Sequence, residues 1–152
     1  MKYPITSAAL LKGDYMYQLY AFSVLVNLIA GISVAYPLLQ ERLSAGRFFA
    51  EEGFTSPRFR LLWGLLTLVF GILKFIVVAG GGIPVLGDFI PAITGLVLGF
   101  ILIFHFYLDR ATVKSDTVLR LEHIFIENAG VFGILGLVFT FIHALFPGVL
   151  FL

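Results

Sequence analysis

Two histidine–carboxylate pairs carry the first chemistry in this chain, His105 with Asp109 and His123 with Glu127, each one helical turn apart. Residues at i and i+4 share a helix face. A turn centred near residue 114 between two antiparallel helices sets His105 level with His123, with Glu127 a turn deeper and Asp109 a turn shallower. Such a set suits zinc, iron or manganese. Two level imidazoles across a cavity suit a haem instead. The same pairs also read as proton or cation relays, or as simple helix-surface hydrogen bonds at a headgroup boundary.

A second set is Lys74, Asp88 and His143, together with Asn27 and Thr67. A salt bridge between Lys74 and Asp88 at the outer rim of a membrane bundle satisfies both charges. Snorkelling to the headgroups accounts for Lys74 alone. In the third reading these two charges and His143 line an outer vestibule, and Asn27 and Thr67 extend it into a polar track. No catalytic constellation accompanies either set: GxSxG, HExxH and the phosphate-binding glycine loop are all absent.

Composition decides what kind of element holds these groups. Of 152 residues, 60% are apolar and 12% charged, about half the charge of a soluble domain, and mean hydropathy is +1.03. Ten Lys and Arg against nine Asp and Glu leave a net charge of +1, which gives no footprint for nucleic acid. With no cysteine, disulfides, thiolate catalysis, iron–sulfur clusters and Cys-based zinc sites are excluded. The class that remains is an all-α integral membrane protein.

A helix needs roughly 20 apolar residues to cross a bilayer core of about 30 Å. Four stretches meet that length, at about 17–40, 58–79, 91–109 and 116–147. The first lies within 26 uncharged positions, Tyr15 to Gln40, too long for the apolar region of a signal peptide, and reads as a retained span. The last is over-long, so its first two or three turns are expected in headgroups or water. Arg42, Arg47, Arg58, Arg60, Arg110, Lys114 and Arg120 lie in or beside two connections, against Lys2 and Lys12 on the other side. That bias places both connections in the cytoplasm and both termini outside, in a multi-pass cytoplasmic membrane expected to be prokaryotic. The connection 41–57 mixes charge with Phe48, Phe49, Phe54 and Phe59, as an interfacial amphipathic segment or a docking surface would. The outer connection, GGGIPVLGDFIP, is apolar and Gly/Pro-rich, and reads as a surface turn or a partly re-entrant loop.

In lipid, helices associate through small residues and interhelical hydrogen bonds. Each span has such a face. They are Ser23, Asn27, Ala30 and Val34; Arg60, Gly64, Thr67, Gly71 and Lys74; Gly95 and Gly99; and Ala129, Gly133, Gly136, Thr140 and Ala144. The expected architecture is a single transmembrane four-helix bundle. On the second helix, Arg60, Gly64, Gly71 and Lys74 resemble the opening helix of DoxX-like membrane proteins over fewer than forty residues. In that family the pattern lies in the first of four helices, whereas here one span precedes it and two follow. No residue role is carried over.

The expected function is passage of an ion or small solute, or service as a membrane subunit of a transport complex. The expected partners are the lipid bilayer and a second copy or complex partner. A redox subunit binding metal or haem at His105 and His123 is one alternative. A structural, partner-binding membrane protein without chemistry is the other.

Overall fold

A computed structural model describes residues 7–43, 51–76 and 89–146. Within them the chain is all-helical. The elements are α1 (Ser7–Leu43), α2 (Glu51–Thr55), α3 (Pro57–Ile76), α4 (Phe89–Leu108), α5 (Asp116–Leu121) and α6 (Ala129–Leu145). A π-helical turn, Glu122–Ile126, joins α5 towards α6. Three helical stretches are long and apolar enough to cross a membrane: Gln18–Arg42, Pro57–Ile76 and Phe89–Leu108. The fourth qualifies only if Asp116–Ile126 and Ala129–Leu145 count as one span, and these meet at a bend of 51°. The expected continuous span over 116–147 is therefore broken. Its first three turns, expected outside the apolar layer, are the part that turns away.

The bundle is two glycine-closed helix pairs laid together, the consecutive α3 and α4 and the sequence-distant α1 and α6. On α3 the buried residues are Gly64, Thr67, Gly71 and Lys74, the 3-4-3 rhythm that keeps one face of a 3.6-residue helix inward. Against them lie Gly95 and Gly99 of α4: a Cβ on Gly99 would stand 2.7 Å from the Leu68 nitrogen, and one on Gly71 2.8 Å from the Leu96 nitrogen. Backbone thus meets backbone, as small residues permit in membrane helices. On the other side α1 and α6 meet in the same way. A Cβ on Gly133 would strike the Ala35 backbone, and Gly31 lies under Leu137.

The central pair is α1 and α4, which touch each other and both outer helices. Their most apolar windows are each 50% buried, against 22% for α3. Between them sits the core: Ala30, Val34, Leu98, Ile101, Leu102 and Ala129. The outer faces carry large apolar side chains at high exposure, Leu62 and Ile76 at 69% and Phe141 at 62%.

The short α2 departs from the expected interfacial segment. Phe54 turns inward, its carbonyl accepting from Ser33 Oγ at 2.8 Å, and its ring packs on Tyr36 and Phe59 at 6.5 and 5.4 Å. Phe59 then stacks on Trp63 at 5.6 Å, whose indole donates to the Val26 carbonyl at 3.3 Å. These two phenylalanines tie α2 to α1 and α3, since offset and edge-on aromatic pairs add to the apolar area they bury. Phe48 and Phe49, and residues 80–88 of the apolar outer connection, lie outside the described residues; its last three, Phe89, Ile90 and Pro91, open α4.

Candidate functional site

At the end of the bundle where α3 and α6 finish, three side chains from three helices meet. Lys74, the last member of the buried α3 stripe, is 5% exposed, and His143, on the inner face of α6, is 1% exposed. Tyr20 of α1 lies between them. Its hydroxyl donates to the His143 carbonyl at 2.6 Å, the two rings are 4.8 Å apart, and Lys74 Nζ stands 5.1 Å from the Tyr20 ring centroid. A cation over a desolvated ring gains up to about 2 kcal/mol. Ser23 Oγ donates to the Tyr20 carbonyl at 2.8 Å, one turn on. Asp88, the expected partner of Lys74, lies outside the described residues.

Tyr20 was absent from the sequence-derived set. Its signal was present, since it stands three residues before Ser23 and seven before Asn27, on the same helix face. An aromatic near the start of a span reads first as an interfacial anchor, which hides an inward role. On α6 the small-residue stripe does not end at Ala144, which is exposed; His143 takes the inward position.

Deeper in the bundle the polar residues are pins. Asn27 is 3% exposed and donates from Nδ2 to the Pro91 carbonyl at 3.1 Å. Its Oδ1 has no hydrogen-bond partner and points at Gly95, where a Cβ would lie 3.0 Å away. A side chain at residue 95 would crowd that oxygen, so glycine there leaves the approach open. Thr67 returns its hydroxyl to the Trp63 carbonyl at 2.7 Å. Thr140, 2% exposed, keeps a buried hydroxyl without a partner. The stretch between Lys74 and the opposite end is thus polar in parts and tightly closed along the α3–α4 seam.

At that opposite end the expected four-ligand convergence does not form. Asp109 bonds Arg60 Nη1 through Oδ2 at 2.9 Å. His123 Nδ1 and Glu127 Oε2 pair at 2.7 Å with 77% and 61% of their side chains exposed. His105 instead lines a cleft of about 230 Å³ with Glu41 and Glu127. Among the described residues no three His, Asp or Glu side chains are grouped to hold a metal ion. The physical reason is the bend. Level pairing of His105 with His123 requires a straight helix from residue 116, and at the turn over residues 122–128 His123 stands outward with 77% of its side chain exposed, while His105 lines the cleft. The i, i+4 pairing of His123 with Glu127 survives as the plain helix-surface hydrogen bond.

No curated protein and no solved structure matches the chain. A match does extend over residues 16–143, from within α1 through His143 of α6, to a protein family of unknown function. That match takes in all or most of each helix, and the chain belongs to this family.

Proposed function

We propose that this chain is an integral membrane protein of four spans that passes a small ion or small polar solute, alone or as the membrane subunit of a transport complex, with Lys74, Tyr20 and His143 as its holding point. The observation that carries the reading is the burial of Lys74 and His143 at 5% and 1% exposure inside helices whose outward faces are leucine, isoleucine and phenylalanine. Ionisable side chains within apolar helices are rare and mark functional sites. Here a buried lysine and a buried histidine are brought together on Tyr20 from three different helices, an arrangement suited to holding a charged or polar ligand.

The cleft beside His105, Glu41 and Glu127 lies at the other end of the bundle, the end that the reading takes as cytoplasmic, with both termini outside. The closed α3–α4 seam confines any path to the junction between the α3–α4 and α1–α6 pairs, where Asn27 Oδ1 has no hydrogen-bond partner. Passage through so tight a junction requires the two pairs to separate, or a second copy to complete the path.

The test is flux in proteoliposomes loaded with pH-, chloride- or alkali-ion-sensitive dyes under an imposed gradient, comparing the natural chain with Lys74→Met. Methionine keeps the length and the apolar stem and removes the charge. The expected result is flux above empty vesicles for one ion, reduced at least tenfold by Lys74→Met. Absence of flux for every ion, or equal flux in both proteins, would contradict the proposal.

A further inference from the structure

The bend before α6 leaves an 11-residue segment, Asp116–Ile126, turned 51° from the helix it precedes. At 1.5 Å per residue it is about 16 Å long, half of what a crossing needs. The 17 residues of α6 reach about 25 Å, the short end of the spanning range, without it. The segment is fixed in this attitude. Ser115 caps its start, accepting from the Val118 nitrogen, and Lys114 grips both Glu122 oxygens at 2.7 Å. Asn128 Nδ2 donates to the His123 and Ile124 carbonyls at 3.1 Å each, filling acceptors that a broken helix leaves open.

Its two sides differ. Inward, Phe125 meets the Phe100 ring edge-on at 5.1 Å and Phe132 at 5.6 Å. Outward, Asp116, Arg120, His123 and Glu127 form a polar arc, flanked by Leu119 at 49% and Ile124 at 51% exposure, with Val113 at 81% just before it. Apolar flanks beside a charged arc are the pattern of a helix lying in an interface. Exposed Arg110 and Arg120 stand at the same end, at the level where lipid phosphates would lie.

We propose that Asp116–Ile126 lies along the surface of the bilayer, with Leu119 and Ile124 in the acyl boundary and the Arg120–His123 arc facing water and phosphate. This rests on the four-span reading above. Because the chain has no cysteine, single spin labels can be placed at Leu119→Cys, Ile124→Cys, Asp116→Cys and Arg120→Cys, with Leu65→Cys on the outer face of α3 as the membrane control. Power saturation in vesicles of zwitterionic and anionic phospholipid compares collision with oxygen and with a water-soluble nickel chelate. Labels at 119 and 124 are expected to favour oxygen, and those at 116 and 120 the chelate. With the control in lipid, preference for the chelate at 119 and 124 would place the segment in water or against a soluble partner and overturn the proposal. A steady gain in depth from 116 to 124 would make it an upright part of the fourth span and overturn it too. A control that itself favours the chelate would overturn the four-span reading along with it.

Discussion

Glycine and asparagine positions at the helix crossings set how closely the bundle can close, and the cost of altering them depends on what stands opposite. A Cβ on Gly99 would meet backbone, the Leu68 nitrogen at 2.7 Å and the Gly64 carbonyl oxygen at 2.9 Å, whereas one on Gly136 would meet the Leu98 Cδ1 methyl at 2.8 Å. Backbone cannot rotate away; a leucine tip can. Gly99→Ala is expected to destabilise by about 1–3 kcal/mol, the usual range for overpacking, and Gly136→Ala by clearly less. Gly53→Ala, with nothing within 4 Å, should be neutral or slightly stabilising in its helix. Denaturation midpoints in mixed detergent micelles read all three, and equal losses for Gly99→Ala and Gly136→Ala would contradict the account. At this scale the sequence is informative about burial: Asn27, Thr67, Lys74 and His143 lie inward because helical spacing puts them on the small-residue faces. It is silent about who meets whom. Tyr20 joins Lys74 and His143 through the crossing of three helices, which no spacing within one helix encodes.

The elements show where pattern reading stops. Hydropathy finds the apolar stretches at nearly their true places, since 20 apolar residues carry their own signal, but periodicity alone does not reveal a π turn. The run from Ser115 to Phe146 keeps its apolar rhythm through the break, so His105 and His123 look level. At the break itself the Asn128 amide serves two carbonyls. Asn128→Ala removes both bonds in an exposed place, where water replaces them, so a cost of about 0.5–1.5 kcal/mol is expected. The larger effect should be geometric. Distances between spin labels at Thr117→Cys and Val138→Cys, measured by double electron–electron resonance, should broaden on Asn128→Ala. An unchanged distribution would show that packing of Phe125 on Phe100 holds the bend by itself.

For the whole molecule, two glycine-closed helix pairs leave a closed, apolar-faced bundle in which, among the described residues, the Lys74 side chain is buried near one end and the ion pairs of Arg60 with Asp109 and Lys114 with Glu122 lie at the other. Nothing in the string announces that α1 and α4 form the central pair, because that follows from which small faces find each other in three dimensions. The sealed cation is the claim on which the functional reading stands, and the chain's four lysines, Lys2, Lys12, Lys74 and Lys114, allow it to be read directly. Lys114 is exposed although bonded to Glu122, and so provides an internal reference. Acylation by a membrane-impermeant amine reagent, applied to both faces of the protein in nanodiscs and followed by peptide mass spectrometry, should modify Lys114 while sparing Lys74, and should modify both once the chain is unfolded. Acylation of Lys74 in the folded protein at the rate of Lys114 would contradict the account.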